Sequence, residues 1–133
     1  MIASLEMNSL FLLILLGGLV WLILKARPRI TPVDAAARVA AGTAILVDVR
    51  EPAEWADGVA APALLLPLSD LNGSRAAWRP VLAANPGKEF IVYCRSGMRS
   101  GQAVSVLRRE GFAATNLGGF SGWQSAGLPV RRP

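Results

Sequence analysis

From Leu10 to Leu24 the chain reads Leu-Phe-Leu-Leu-Ile-Leu-Leu-Gly-Gly-Leu-Val-Trp-Leu-Ile-Leu, a run without a single charge. With its flanks, Met7 to Ala26, the stretch has about the length needed to cross a hydrocarbon core of ~30 Å. It therefore divides the chain into an N-terminal transmembrane anchor, residues 1–27, and a separate domain over residues 28–133. The remaining hundred or so residues, roughly, suffice for one compact unit and no more. Glu6 precedes the apolar run and Lys25, Arg27 and Arg29 follow it, with Pro28 among them. That order is the reverse of a secretory signal peptide, so an uncleaved single-pass anchor is expected. Positive residues stay on the cytoplasmic side, which puts the N-terminus outside the cell (inner) membrane and the domain in the cytoplasm. Trp21 falls where an interfacial aromatic belongs, whereas Gly17-Gly18 lacks GxxxG spacing and is assigned no role.

Composition then removes whole classes of chemistry. The 133 residues include one cysteine and no histidine. Internal disulfides, CxxC redox pairs, cysteine zinc clusters, Cys-His proteolysis and histidine metal sites are all excluded. No metal and no cofactor is expected, and a single free thiol suits a reducing compartment. Fourteen Lys and Arg against nine Asp and Glu give a formal charge of +5. The basic residues form no stripe with interleaved aromatics, so nucleic acid is not an expected partner. Arg108-Arg109 and Arg131-Arg132 read as a solvated helix end and a solvated tail. A modestly basic domain beside a bilayer draws anionic headgroups and small anionic substrates.

Past the Arg27-Pro28-Arg29 linker, Thr31-Pro32-Val33-Asp34 supplies an N-cap, a first-position proline and an acid in the first turn. The pattern predicts a helix to about Ala41, closed by Gly42. Ala44-Ile45-Leu46-Val47 is a continuous apolar run ending in Asp48-Val49-Arg50-Glu51, as expected of a strand buried on both faces whose polar residues emerge at its C-terminal end. Short elements follow: a helix over Glu51 to Asp57, a strand over Ala63 to Leu66 and a helical turn over Leu68 to Leu71. Arg75 to Ala84 is helical in composition despite Pro80, and Asn85-Pro86-Gly87 ends it. Glu89 to Tyr93 predicts a strand, Ser100 to Glu110 a helix, Ala114 to Leu117 a strand, and Phe120 to Ala126 a last helix. Strands alternating with helices predict an α/β fold with a mainly parallel sheet flanked by helices, its ligand rim at the C-terminal strand ends.

The lone cysteine sits on that rim. Tyr93-Cys94-Arg95-Ser96-Gly97-Met98-Arg99-Ser100 places Cys94 in a strand-to-helix turn with an arginine on each side of a glycine. Successive backbone N–H groups there form a nest, the helix N-terminus adds partial positive charge, and Arg95 and Arg99 add full charges. A thiol so placed is expected to be a thiolate at neutral pH, because only the charged form gains from those groups. The expectation also requires a sulfur that solvent can reach.

These stretches resemble the rhodanese domain, the single-domain sulfurtransferase fold, over about Ile30 to Pro133. Three segments carry the likeness: Leu46-Val47-Asp48-Val49-Arg50-Glu51, the cysteine loop, and Leu117-Gly118-Gly119-Phe120-Ser121-Gly122-Trp123. The resemblance implies that Cys94 is catalytic, taking sulfur from a small anionic donor such as thiosulfate as a persulfide and passing it to a thiol or cyanide-like acceptor. It implies donor binding by Arg95 and a cradle of N–H groups from Arg95, Ser96, Gly97, Met98, Arg99 and Ser100. Asp48, Arg50 and Glu51 support the rim, with Arg99 pairing to an acid of that cluster and Arg50 either in a structural ion pair or on substrate. Related phosphatases and arsenate reductases have a longer loop, whereas Arg95 to Met98 leave room for one sulfur atom. The chain departs from the family pattern where Gly-His-Ile-Pro-Gly-Ala and Asn-Ile-Pro are common, reading Gly58-Val59-Ala60-Ala61-Pro62-Ala63-Leu64-Leu65-Leu66-Pro67. That departure leaves open a non-catalytic or sulfur-delivery module tethered at the membrane, whose protein partner the sequence does not name.

Overall fold

A computed structural model of the chain describes residues 2–26 and 30–133, with side chains over 6–24 and 30–133. The Arg27-Pro28-Arg29 linker and the Lys25 side chain, which carry the positive flank, lie outside the described residues. The first helix, α1 (Ile2–Ala26), contains a stretch from Glu6 to Leu24 that is long and apolar enough to cross a membrane and is 0% buried.

The domain begins with α2 (Pro32–Ala40), capped as its sequence dictates: the Thr31 hydroxyl accepts from the Asp34 N–H at 3.2 Å. Strand β1 (Ala44–Asp48) leads into α3 (Pro52–Trp55), then β2 (Val59–Ala60), β3 (Leu64–Leu65) and α4 (Leu68–Leu71). After α5 (Trp78–Ala84) come β4 (Glu89–Cys94), α6 (Met98–Arg109), β5 (Ala114–Gly119), α7 (Phe120–Ser125) and β6 (Val130–Arg131). Four strands form one parallel sheet in the order β3-β1-β4-β5. The α/β architecture and parallel sheet expected from the alternation are therefore present.

Period-two alternation sends successive side chains to opposite faces. In β4, Phe90, Val92 and Cys94 join the core with Trp78, Ala103 and Leu107. Ile91 and Tyr93 join the opposite core with Ala35, Phe120 and Trp123. From Phe90 to Cys94 the central strand is buried and carries no charge, because neither face meets water there.

Two findings differ from the sequence reading. An antiparallel pair, β2 with β6, joins Val59 to Arg131 and Ala60 to Val130. Two-residue strands have no readable period, and the pairing brings together residues distant in the chain. Arg131, expected in a solvated tail, donates from Nε to the Ala61 carbonyl at 3.0 Å and from Nη2 to the Ala63 carbonyl at 2.9 Å. Arg108 stands exposed at the helix end as expected, and its Nε also donates to the Ala114 carbonyl at 2.8 Å. The Gly58 to Pro67 segment, where the chain departs from the family pattern, is held by these contacts and by the Ala60 N–H, which donates to the Tyr93 hydroxyl at 2.9 Å.

Trp78 is fully buried, and its indole N–H donates to the Pro67 carbonyl at 3.0 Å. Trp78→Ala is expected to cost about 3–5 kcal/mol, since it empties a large, fully buried volume. Chemical denaturation of the full chain in detergent measures it; a loss below about 1 kcal/mol contradicts this account of the core.

Candidate active site

Cys94 ends β4, and its sulfur is met by the chain that turns over it. Gly97, the residue before α6, has φ +92°, a conformation that glycine adopts without steric cost. That turn aims the Gly97 N–H back at Cys94 Sγ, 3.0 Å away, while the Ser100 hydroxyl lies 3.4 Å from the same sulfur. The helix starts at Met98, earlier than Ser100 as expected, so Met98, Arg99 and Ser100 form its first turn. Its partial positive charge faces the sulfur. Arg95, Ser96 and Met98 are exposed, Gly97 and Ser100 buried, and Arg99 intermediate.

The expectation of a solvent-reachable sulfur is not met in this conformation: Cys94 is 0% exposed. The reason is geometric. A loop short enough to aim its N–H at one sulfur atom also covers that atom.

Arg99 does not pair within the Asp48 to Glu51 cluster. It grips Glu54, Nη1 to Oε1 at 2.6 Å and Nη2 to Oε2 at 2.8 Å, a bidentate contact that ties α6 to α3. Glu51 is occupied elsewhere, in a reciprocal capping box with Glu54 and in accepting the Ser69 hydroxyl at 3.0 Å. Asp48 is wholly buried against Arg50, whose Nη2 is 2.8 Å from Oδ2 and whose Nε lies 3.0 Å from the same oxygen. Arg50 also donates to the Gly58 carbonyl at 2.8 Å and stacks over Phe120 at 4.8 Å. Of the two roles open to Arg50, the structural ion pair is the one observed. Burial pushes the Tyr93 phenol up, and the adjacent Asp48 carboxylate adds to the effect, so the ring stays neutral beside this pair.

A cleft of about 470 Å³ opens beside the loop, lined by Arg50, Glu54, Asp57, Arg95, Phe120, Ser121 and Gln124. Among the described residues, the Arg95 side chain has no carboxylate partner, so its charge is available to the cleft. The Gly118-Gly119 turn has a specific task here: a Cβ on Gly119 would stand 2.6 Å from the Arg95 carbonyl oxygen. Only glycine lets β5 approach the cysteine loop so closely. Sequence reasoning missed Glu54 and Asn116. Glu54 was visible as the third residue after a capping acid, and Asn116 as the one amide inside an apolar strand. The described residues contain no group of three or more His, Cys, Asp or Glu side chains placed to hold a metal ion.

The Arg99 guanidinium holds the Glu54 carboxyl down from 4.5 to about 2. Its folded-state value is the lower one, so the pair's stabilisation is complete above about pH 4.5 and is lost as pH falls toward 2. Both side chains are about a third exposed, 33% and 30%, and solvent screening limits the contribution to ~1 kcal/mol. Glu54→Gln is expected to remove it and to flatten the pH dependence of the denaturation midpoint across that window. An unchanged slope contradicts the assignment.

The comparisons with known proteins agree with this geometry. The Rhodanese-like domain family matches residues 31–126. A sulfurtransferase of Allochromatium vinosum is 40% identical over 91 residues, covering 67% of this chain and 79% of that protein. An uncharacterized protein of Synechocystis is 44% identical over 88 residues, 65% of this chain, and the match spans only 46% of its length. Among solved structures, a rhodanese-related protein from Thermoplasma volcanium superposes with a TM-score of 0.65 at 27% identity, covering 80% of this chain and 100% of its own. The family match over residues 31–126 and the superposition on a rhodanese-related structure agree with the parallel α/β sheet described above, and the chain belongs to the rhodanese-like domain family.

Proposed function

We propose that this chain is a membrane-anchored sulfurtransferase that carries sulfane sulfur on Cys94. The observation that supports it best is the Gly97 N–H 3.0 Å from Cys94 Sγ at the positive end of α6. A thiolate there attacks the outer sulfur of thiosulfate, the S–S bond breaks, and sulfite leaves with the electron pair. Cys94 then holds a persulfide. A thiol or cyanide-like acceptor attacks its terminal sulfur, and the electron pair of the S–S bond returns to Cys94 Sγ. Cyanide, or a thiol that has given its proton to solvent and attacks as thiolate, brings no proton to remove, and neither does a Cys94 thiolate, so both steps fit a chain without histidine. With the donor seated, the Gly97 N–H already aimed at the sulfur stabilises the anion as charge shifts. Arg95 binds the anionic end of the donor in the cleft, and the charge of Arg99 also acts on Cys94. Because Cys94 is 0% exposed, the loop yields to the donor as part of the reaction.

That burial also favours a second reading, a docking or sulfur-delivery module whose cysteine does not turn over. Thiosulfate-to-cyanide transfer by the full chain in detergent separates the two. Under the first reading the protein gains the mass of one sulfur atom on Cys94, and Cys94→Ser loses the adduct and at least about 1000-fold in turnover. Turnover surviving that substitution refutes the site, and a chain that neither turns over nor takes up sulfur favours the module.

Residues 1–27 serve as the anchor, residues 7–26 crossing the bilayer once with the domain, residues 28–133, in the cytoplasm. Protease added to the cytoplasmic side of inverted inner-membrane vesicles is expected to remove the domain. Its protection there contradicts the orientation.

A further inference from the structure

Both groups that touch the Cys94 sulfur lead back to one side chain outside the loop. Asn116 lies in β5 and is 3% exposed. Its Nδ2 donates to the Gly97 carbonyl at 3.1 Å. Its Oδ1 accepts from the Ser100 hydroxyl at 2.7 Å and from the Gly118 N–H at 2.9 Å. The amide cannot be turned over, because a carbonyl on one side needs a donor and an N–H on the other needs an acceptor.

The sheet itself delivers this side chain to the loop. Val92 is level with Asn116, but Tyr93 is level with Gly118, so the β4–β5 register slips by one residue at Leu117. Such an irregularity bends the strand and re-aims a side chain. Asn116 shares the register of Val92, on the face that Cys94 and α6 occupy, and its oxygen takes the Gly118 N–H at the slip.

Ser100 has one hydroxyl hydrogen and two neighbours able to accept it, Asn116 Oδ1 and Cys94 Sγ. With a neutral thiol, the hydroxyl donates to Asn116 and the S–H donates to Ser100 Oγ. Once the thiol proton has gone to solvent, the same hydroxyl turns to the sulfur. Asn116 Oδ1 keeps the Gly118 N–H in both states. No buried acceptor is left without a donor, which is the condition for a low-cost exchange in a dry site.

We propose that Asn116 is a positioning residue for sulfur transfer: it holds Gly97 and Ser100, the two donors on Cys94, and lends the Ser100 hydrogen bond to the sulfur when the sulfur is negative. This rests on the reading of Cys94 as the sulfur carrier and adds to it a residue that never touches the reacting atoms.

Single-turnover persulfide formation by the full chain in detergent, followed by mass spectrometry across thiosulfate concentrations, tests it. Asn116→Ala is expected to lower the maximal rate about 10- to 100-fold. The half-saturating thiosulfate concentration stays within about twofold, since the donor is held by Arg95 in the cleft and not by the buried network. In a Ser100→Ala background the further loss from Asn116→Ala is smaller than in the unsubstituted chain, because one of its two routes to the sulfur is already gone. Should Asn116→Ala fail to fold, Asn116→Asp provides the comparison. It keeps the acceptor for Gly118 and loses the N–H to Gly97, and it too is expected to be at least tenfold slower, about the cost of one buried hydrogen bond to a charged site. A maximal rate within about threefold of the unsubstituted chain in a folded variant overturns the proposal, as does fully multiplicative loss in the double variant. No persulfide in the unsubstituted chain sinks the carrier reading itself and this proposal with it, an outcome distinct from the other two.

Discussion

Parallel pairing of β1 with β4, from Ala44 beside Glu89 to Asp48 beside Tyr93, decides which polar residues of this domain can meet. Parallel strands end on the same side, so the residues that close β1 and those that close β4 share one rim. Asp48 and Cys94 reach it from adjacent strands, and both are wholly buried there. These two groups are consequently in a dry environment, where a polar group without a partner is costly. The Val49 N–H donates to the Tyr93 carbonyl at 3.1 Å, continuing the ladder just past β1 and locking the two ends in register.

The buried pair Asp48–Arg50 shows how that cost is met. Its two charges would not offset their own desolvation without further bonds. The Arg50 backbone N–H also donates to Asp48, at 2.9 Å, and the guanidinium continues to the Gly58 carbonyl and over Phe120. One arginine thereby ties the end of β1 to the start of β2 and to α7. It is the wall of the cleft as much as a charge in it.

Sulfur is treated differently from the carboxylate beside it. No cation contacts Cys94 Sγ directly among the described residues; the hydrogen bonds to it come from a backbone N–H and a hydroxyl. Arg99 contributes at longer range while spending its bidentate geometry on Glu54. Arg95 has its side chain turned to the cleft and no carboxylate partner among the described residues.

Much of this was legible in the residues. The apolar runs, the Thr31-Pro32 cap and the strand–loop–helix around Cys94 are local, and local chemistry determines them: hydrogen-bond caps, period-two and helical spacing, and glycine where φ must be positive. Composition alone also excluded some chemistry, since a chain with one thiol and no imidazole can build neither an internal disulfide nor a histidine site. The tertiary structure decided the partners. Arg99 met Glu54 in place of the Asp48 to Glu51 cluster because Glu51 is consumed in capping α3, and Arg131 found carbonyls because β6 pairs with β2. It also decided that Cys94 is covered and that Asn116 stands under its loop, through a one-residue slip between β4 and β5. Spacing along a chain carries no record of which side chain another has already engaged, or of which strand lies beside which; only packing assigns them.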